Sequence, residues 1–309
     1  MEHPTLGPML VIANPRAGEG SGPVVDRLIT ALAPFGVIPE VAVTAGRGDA
    51  TTIAREAVLS GRRYVVAVGG DGTVHEVVNG LVDVEAGETR GVDPVLGIVS
   101  AGSGCDLVRT FGLDRTPEVL ARHLASPDVT RIDLGRVRLT GRDGSPTARV
   151  FANVAEVGFG GAVATAARRL PARIGGRRYT FGIVVAWGRF RRVAMTVTHD
   201  GGVHRADLCN VVVANGQFFG GGLKVAPRSL PDDGRFDVQA WGGTVTDVVR
   251  AARQLRDGSH LQRHDVRAWP SATVAVTADR PVAVEADGEL LGTAPATFDI
   301  LPRVIGLKL

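Results

Sequence analysis

Three apolar segments in the first third of the chain each run into a glycine-containing bend, and this repetition constrains the fold more than any other feature. The segments are MLVIA, YVVAV and VLGIVS, and the bends are NPRAG (14–18), GGDGT (69–73) and SAGSG (100–104). Stretches with helical periodicity lie between them, and such alternation is typical of a parallel sheet with crossover helices. Because parallel strands end at a common edge of the sheet, we expect the three bends to line one crevice.

The pattern of the chain changes after about residue 130. Segments such as RIDLGRVRL, VAMTVTHDGG and LCNVVVANG alternate apolar with polar residues and end in tight turns, which is typical of antiparallel strands. Helices are expected near 161–190 and 244–256. The predicted class is α/β, with a Rossmann-like domain over 1–133 and a mostly antiparallel β-sandwich domain over 134–309, leaving open a return of the last strand to the first domain.

The segment GGDGTVHEVVNG (69–80) carries the clearest chemical signal. A strand that turns through glycines into a helix presents main-chain N–H groups and the positive end of the helix dipole to an anion, and phosphate is the natural ligand. Thr73 and Glu76 have the spacing of a capping box at the start of this helix. Neither GxxxxGKS nor GxxxxGKT occurs, so the chain is not a P-loop protein.

Asp71 needs a separate explanation, because a carboxylate repels a phosphate unless a cation or a donor lies between them. A Mg²⁺ ion that bridges Asp71 to the phosphates would resolve the conflict. A plain turn-forming role for this residue is the alternative.

Composition narrows the classes of protein further. The net charge is +3 with only two lysines, Lys224 and Lys308, which argues against a lysine-based phosphate site. The two cysteines, Cys105 and Cys209, form no CxxC pair and fit a reducing cytoplasm.

The start of the chain lacks a basic signal region, and FGIVVAWG (181–188) is too short to span a membrane. HLQRH (260–264) lacks a metalloprotease glutamate, and we expect its two histidines at the surface.

Taken together, the motifs resemble those of the bacterial diacylglycerol kinases and YegS-like lipid kinases, relatives of sphingosine and ceramide kinases. NPRAG, GGDGTVHEVVNG and AGSGCDLVRTFGL are similar to the nucleotide-site motifs of that family. GGDG alone is shared with NAD kinases. FANVAEVGFGG (151–161), VVVANGQFFGGGLKVAPRSLPDDGRFDV (211–238) and VEADGEL (284–290) resemble lipid-kinase segments in order and spacing, which disfavours NAD kinase.

The resemblance implies an ATP site built from the bends, together with a threonine after the second strand and a hydroxyl in the third bend. The residues concerned are Asn14, Pro15, Arg16, Ala17, Gly18, Thr44, Gly69, Gly70, Asp71, Gly72, Thr73, Val74, His75 and Ser103.

The resemblance also implies a Mg²⁺ site and a catalytic base in the second half. The LxxDGx turn that holds the metal in the family matches Leu230, Asp233 and Arg235, of which only Asp233 offers a carboxylate. The DGE motif falls on residues 287–289, with Glu289 as the leading base and Asp287 next, while Asp71 is the third catalytic candidate. The sequence does not separate Glu289 from Asp287, and a plain surface turn is the alternative.

Two departures from the family pattern stand out. Cys105 replaces the asparagine of the family's GTGND motif, which puts fine geometry or substrate choice in doubt. GFGGAV lacks the aspartate that often follows this motif in relatives, and we assign no site there.

The expected activity is transfer of the γ-phosphoryl of ATP to a lipid primary hydroxyl, most simply that of diacylglycerol, in the cytoplasm at the inner membrane face. The arginine-rich, apolar segment 168–192 is expected to contact anionic lipid, with a solvated helix as the alternative. Nucleic acid is not an expected partner, and a homodimer stays open. Alternatives for the function are a kinase of sphingoid bases or of other lipid alcohols, and a nucleotide-binding regulatory protein with impaired catalysis.

Overall fold

The computed structural model describes residues 6–309 except 19, 102–104, 114, 170–184 and 187–189. In this part of the chain the strands are β1 Met9–Ala13, β2 Glu40–Val43, β3 Tyr64–Gly69, β4 Val82–Asp83, β5 Glu88–Thr89, β6 Val95–Ser100, β7 Thr130–Gly141, β8 Pro146–Phe151, β9 Val154–Gly158, β10 Val193–His199, β11 Gly202–Leu208, β12 Asn210–Ala214, β13 Phe236–Trp241, β14 Val266–Ser271, β15 Thr273–Ala278, β16 Ala283–Ala286 and β17 Glu289–Leu307. The α-helices are α1 Gly22–Leu32, α2 Asp49–Leu59, α3 Asp71–Leu81, α4 Asp106–Thr110, α5 Pro117–Ala125, α6 Phe159–Arg169 and α7 Val245–Arg250.

The chain divides into two units. The first contains the residues up to Leu134, with Gly220–Gly222 and Leu301–Leu309, and the second contains Gly135–Phe219 and Leu223–Ile300. The first unit is a parallel α/β structure and the second is antiparallel, so the predicted fold class is confirmed.

The first unit is built on the parallel strand order β2-β1-β3-β6, with the end of β17 beside β6. β1 and β3 are buried at every position, because helices cover a parallel sheet on both faces and such strands read as continuous apolar runs. Helix α1 buries Val25, Leu28 and Leu32 at helical spacing, as its sequence pattern predicts. Helices α2 and α3 approach closely at Gly80, where a Cβ atom would lie 2.4 Å from the Thr51 carbonyl oxygen.

The parallel register brings the ends of these strands together. The N–H of Thr44 donates to Ala13 O at 2.9 Å, the N–H of Asn14 donates to Val68 O at 3.1 Å, and the N–H of Ala101 donates to Gly69 O at 3.0 Å. The segments that follow β2, β1, β3 and β6 are therefore neighbours along one edge of the sheet.

The second unit is antiparallel, and along one run its strands follow the order β14-β13-β12-β9-β16-β17. Residues alternate between the two faces of each strand. One face supplies the main apolar core, which includes Ala155, Val157, Val211, Val213 and Phe236.

The opposite face of the same strands carries Glu156, Asn210, Val212, Gln239 and Trp241, which the strand register places close together. This face is packed by a second apolar cluster that includes Val225, Ala251 and Leu255. Glu156 is consequently buried although it occupies a polar position in the sequence pattern.

The expected helix near 161–190 corresponds to α6, and most of the remaining segment lies outside the described residues. The expected helix at 244–256 is α7 followed by a 3₁₀ helix over Ala251–Arg256. The interpretation of His260 as a surface residue is wrong, because its ring is fully buried, stacks on Trp241 at 5.3 Å and bonds Val225 O at 2.8 Å. His264 is exposed, as expected. No helix in the described ranges has both the length and the hydropathy to cross a bilayer.

Candidate functional site

Asn14 joins the first two bends of the first unit. Its Oδ1 accepts the N–H of Arg16 at 3.0 Å, which folds NPRAG back on itself, and its Nδ2 donates to Thr73 Oγ1 at 3.1 Å. The bend is completed by a bond from the N–H of Ala17 to Asn14 O at 3.1 Å. Gly18 has φ 57°, a left-handed conformation that glycine adopts without steric cost. One side chain thus fixes the position of NPRAG relative to GGDGT.

The GGDGT bend opens directly into helix α3. Gly70 is the N-cap with an extended backbone, and its carbonyl oxygen accepts the N–H groups of Thr73 at 2.9 Å and Val74 at 3.2 Å. The main-chain N–H groups of a first helical turn have no partner within the helix, and they concentrate the positive end of its dipole. Gly72 in this turn is exposed. The bend therefore has the geometry of an anion site.

The predicted capping box of Thr73 and Glu76 is wrong. The helix begins at Asp71, three residues before the position that a box with Thr73 as N-cap requires, and no side chain caps it. Thr73 Oγ1 is instead the acceptor for Asn14, and Glu76 Oε1 accepts the N–H of Gly48, the N-cap of α2, at 2.9 Å. Packing of the two helices against each other redirects Glu76 to its neighbour.

Asp71 connects the second bend to the start of α4. Its Oδ1 accepts the N–H of Asp106 at 2.9 Å. Burial raises the pKa of the Cys105 thiol well above its usual value, and the charge of Asp71 and a hydrogen bond to it raise that pKa further. Cys105 is the N-cap of α4 and makes no side-chain cap of its own. Asp71 therefore takes over the capping of this helix, which gives the carboxylate a structural role.

The other residues predicted to bind nucleotide differ in exposure. Thr44, Val74 and His75 have buried side chains, whereas Pro15 and Arg16 are exposed. Ser103 lies outside the described residues. The assignment of all these residues to a nucleotide site stays a prediction.

The sequence reasoning missed one contact of the first unit. Asp106 Oδ2 accepts the N–H of Gly221 at 2.8 Å, and Asp106 Oδ1 lies 3.5 Å from Arg109 Nε. Gly220, Gly221 and Gly222 all have positive φ, so this tight approach depends on three consecutive glycines. The three glycines of FFGGGLK indicate an unusual backbone at this point of the sequence. They do not indicate which residue, here one 115 positions earlier, the backbone contacts.

In the second unit the structure distinguishes the two candidate bases. Asp287 has φ 50°, and its carboxylate accepts the N–H groups of Ala152 and Asn153 at 3.0 Å and that of Val154 at 3.3 Å. Three main-chain donors converge on this group and anchor the turn to the start of β9. Glu289 is the half-buried first residue of β17. Asp287 therefore has a structural role in this turn, and the assignment of either residue as the base stays a prediction.

The turn predicted to hold a metal is well formed. The N–H of Asp233 bonds Leu230 O at 3.3 Å, and Asp233 Oδ1 accepts the N–H of Arg235 at 2.9 Å. All three residues are exposed. Within the described ranges no group of three or more histidine, cysteine, aspartate or glutamate residues has the arrangement of a metal site.

A buried pair of carboxyl groups, Glu156 and Glu285, was also missed. The two residues face each other across β9 and β16, and Asn210 Nδ2 donates to Glu156 Oε1 at 2.6 Å. Burial raises the pKa of both groups, and the charge of Glu156 raises that of Glu285 further. Burial of two facing carboxyl groups therefore favours a folded state in which the pair holds one proton. Each glutamate lies between an alanine and a valine in the sequence. In a strand this pattern predicts a side chain that faces solvent, so the sequence does not indicate a buried pair.

We expect this pair to make stability depend on pH. Because the pKa of Glu285 is raised on folding, its contribution to stability is complete below the ordinary glutamate value and is lost as the pH rises through the folded value. Glu285→Gln should therefore gain stability relative to the wild type between pH 5 and pH 9, by about 1–3 kcal/mol. Thermal unfolding across this range is the measurement. Exposed Glu88 supplies the control Glu88→Gln, and a constant difference between wild type and Glu285→Gln would contradict the shared proton.

Comparison with known proteins identifies both halves of the chain. The family described as "Diacylglycerol kinase catalytic domain" matches residues 8–137, and the family described as "YegS C-terminal NAD kinase beta sandwich-like domain" matches residues 153–308. The second match alone covers half of the chain.

Individual relatives agree with this result. A diacylglycerol kinase from Mycobacterium tuberculosis is 28% identical over 304 residues, which cover 97% of this chain and 94% of the relative. The fold is similar to that of a diacylglycerol kinase from Bacillus anthracis, with a TM-score of 0.71 at 21% identity over 97% of this chain and 96% of the other. For yeast NADH kinase the TM-score is 0.50 at 12% identity, over 97% and 82% of the two chains. The chain therefore belongs to the family of diacylglycerol kinases and YegS-like lipid kinases, whose members are enzymes.

Proposed function

We propose that the chain transfers the γ-phosphoryl group of ATP to the primary hydroxyl of diacylglycerol, with phosphatidic acid as the product. The observation that carries the nucleotide half of the proposal is the alignment of NPRAG and GGDGT at one sheet edge, joined by the bond between Asn14 and Thr73. Main-chain N–H groups at such bends suit a chain of phosphates. The lipid half is supported by the family and by the diacylglycerol kinases among its relatives.

Within this proposal the first unit binds the nucleotide. The first turn of α3 would accept one phosphate through its N–H groups, and the NPRAG bend would lie against the next. Fixing both bends before the ligand arrives reduces the entropy that binding costs.

Glu289 would accept the proton of the lipid hydroxyl as its oxygen attacks phosphorus. A positioned carboxylate of this kind contributes about 10²–10⁴-fold to the rate. Asp287 would act indirectly, because its three main-chain bonds hold the turn that presents Glu289.

The turn over 230–235 fits a hard cation in its donor chemistry. It offers the Asp233 carboxylate and the main-chain carbonyl oxygens of Leu230 and Arg235, and Mg²⁺ prefers oxygen ligands. These residues would hold the ion, which when bound would stabilise the turn. The proposal gives Asp71 a second role as a partner of the Mg²⁺ that accompanies ATP.

We propose the segment 168–192 as the membrane contact. This proposal rests only on its composition of arginine and apolar residues. Residues 170–184 and 187–189 of it lie outside the described part of the chain.

The test is a panel of lipid alcohols in mixed micelles, incubated with radiolabelled ATP and the purified chain. The expected result is label in phosphatidic acid when diacylglycerol is present, with little label in the absence of lipid. Transfer mainly to a sphingoid base would replace diacylglycerol by that substrate. Tight ATP binding with no transfer to any lipid, in the wild type and in Glu289→Gln alike, would instead indicate a non-catalytic nucleotide-binding protein.

A further inference from the structure

The loop over 45–48, which joins β2 to α2, is held at both ends by carboxylates. At its first end, Asp49 Oδ2 accepts the N–H of Ala45 at 2.7 Å. At its second end, Glu76 Oε1 accepts the N–H of Gly48 at 2.9 Å. Asp49 is the first residue of α2, but Glu76 belongs to α3 and lies 28 positions beyond its partner. The conformation of the loop therefore depends on a helix that the loop does not join.

The composition of the loop makes this outside contact important. Its sequence is AGRG, and Gly48 has φ 83°, a left-handed conformation that glycine adopts freely together with many others. A free loop with two glycines in four residues would populate many conformations, and ordering it costs entropy. The hydrogen bond from Glu76 selects one conformation before any ligand arrives.

Glu76 reaches the loop because α2 and α3 pack closely. Thr51 Oγ1 donates to the main-chain carbonyl oxygen of Glu76 at 2.8 Å. One turn further along α3, Gly80 permits the approach, since a Cβ atom there would lie 2.4 Å from the Thr51 carbonyl oxygen. The same helix begins at Asp71 with the turn that we propose as a phosphate site. Helix α3 therefore connects that phosphate site to the loop after β2.

The place of the loop along the sheet edge suits the nucleoside half of a nucleotide. The strands follow the order β2-β1-β3, and NPRAG follows β1 while GGDGT follows β3. Because neighbouring strands are about 4.8 Å apart, the loop after β2 lies about 10 Å along the edge from the start of α3. Phosphates at the two bends would leave the ribose and base to extend to the loop. Inorganic tripolyphosphate has no group that extends so far.

We propose that Glu76 is a positioning residue for nucleotide binding, which holds the loop over 45–48 in the conformation that contacts the ribose and base of ATP. The inference rests on the proposed function, since it requires phosphates at the two bends. Glu76 acts through Gly48 and not on the reacting atoms. Loss of its hydrogen bond lowers the fraction of molecules with a competent loop, and the apparent Kd for the nucleotide rises by the same factor.

The test compares Glu76→Gln with Glu76→Ala by calorimetric titration of the full-length chain with ATP and with inorganic tripolyphosphate, both in the presence of Mg²⁺. Both variants remove the negative charge, but glutamine keeps an oxygen that accepts the N–H of Gly48. We expect Glu76→Gln to bind ATP nearly as tightly as the wild type and Glu76→Ala to bind it about tenfold more weakly, the factor that one hydrogen bond supplies. The two variants should bind tripolyphosphate equally, because this probe does not reach the loop.

Three results would overturn the proposal and leave the phosphate site intact. The first is equal affinity of the two variants for ATP, and the second is equal affinity of the wild type for ATP and tripolyphosphate. The third is an equal loss for both probes in Glu76→Ala, which would show that the substitution disturbs α3 itself. If the wild type binds neither probe, the proposed nucleotide binding fails, and this inference fails with it.

A second measurement uses only the wild type. In ¹⁵N spectra, ATP should shift the main-chain amide signals of the loop over 45–48 and of the first turn of α3. Tripolyphosphate should shift only the signals of that turn. An ATP-induced shift that leaves the loop signals in place would put the nucleoside elsewhere and would overturn the proposal even if Glu76→Ala does not fold.

Discussion

Glu289→Gln is expected to lower the turnover number for lipid phosphorylation by about 10²–10⁴-fold, while the affinity for ATP and the melting temperature stay near those of the wild type. Glutamine keeps the size of the side chain and its hydrogen-bonding capacity but cannot accept the hydroxyl proton. Because Glu289 is a half-buried residue at the start of β17, the change removes little packing. Steady-state kinetics and nucleotide titration of the same preparation measure the two effects.

The matched substitutions are at Asp287, two positions away in the same turn. Asp287→Ala removes the acceptor of three main-chain N–H groups and should cost about 2–4 kcal/mol of unfolding free energy. Asp287→Asn should cost less, because asparagine retains an acceptor and tolerates the left-handed backbone at this residue. If Glu289→Gln keeps full turnover while Asp287→Asn loses it without loss of stability, the two roles are reversed.

Gly69→Ala is expected to weaken ATP binding by at least tenfold and to destabilise the first unit by about 1–3 kcal/mol. The added Cβ atom would lie 2.3 Å from Thr73 Oγ1 and 2.6 Å from Thr73 Cβ, so the first turn of α3 must move. Thr73 Oγ1 is also the acceptor for Asn14, and the NPRAG bend would lose its tie to α3. Calorimetric titration with a non-hydrolysable ATP analogue, together with thermal unfolding, measures both effects.

Gly72→Ala is the control for this substitution. It adds the same methyl group three residues later, in the first turn of α3, where no atom lies within 4 Å of the new Cβ and the residue is exposed. Alanine has the higher helix propensity, so stability should hold or rise by about 0.5–1 kcal/mol. Equal losses of stability in the two variants would show that the contact with Thr73 is not the cause.

Much of the first unit could be predicted because its signals are local. The continuous apolar runs of β1, β3 and β6 and the periodic stripe of α1 each specify one element, and parallel pairing then places the strand ends together. The alternation of the second half was likewise enough to predict antiparallel strands. These features depend on near neighbours in the sequence.

What could not be predicted depends on partners that are distant in the sequence. Glu76 bonds Gly48 because α2 packs on α3, and the contact of Asp106 with Gly221 joins residues 115 positions apart. His260 has an ordinary surface pattern, yet its buried ring stacks on Trp241 and bonds Val225 O. The DGE motif does not show which of Asp287 and Glu289 has a structural role. That depends on which carboxylate accepts main-chain N–H groups, and the donors to Asp287 lie more than 130 positions earlier in the sequence.

The bond between Asp71 and the N–H of Asp106 has a consequence for how mutagenesis of this enzyme is interpreted. A variant such as Asp71→Ala would lose activity whether the carboxylate assists phosphoryl transfer or merely seats α4, so inactivation by itself identifies neither. Asp71→Asn retains an oxygen for the amide but carries no charge. If Asp71→Asn restores the activity that Asp71→Ala loses, the residue acts by holding the start of α4. If Asp71→Asn is well folded but inactive, the negative charge of Asp71 is required for phosphoryl transfer.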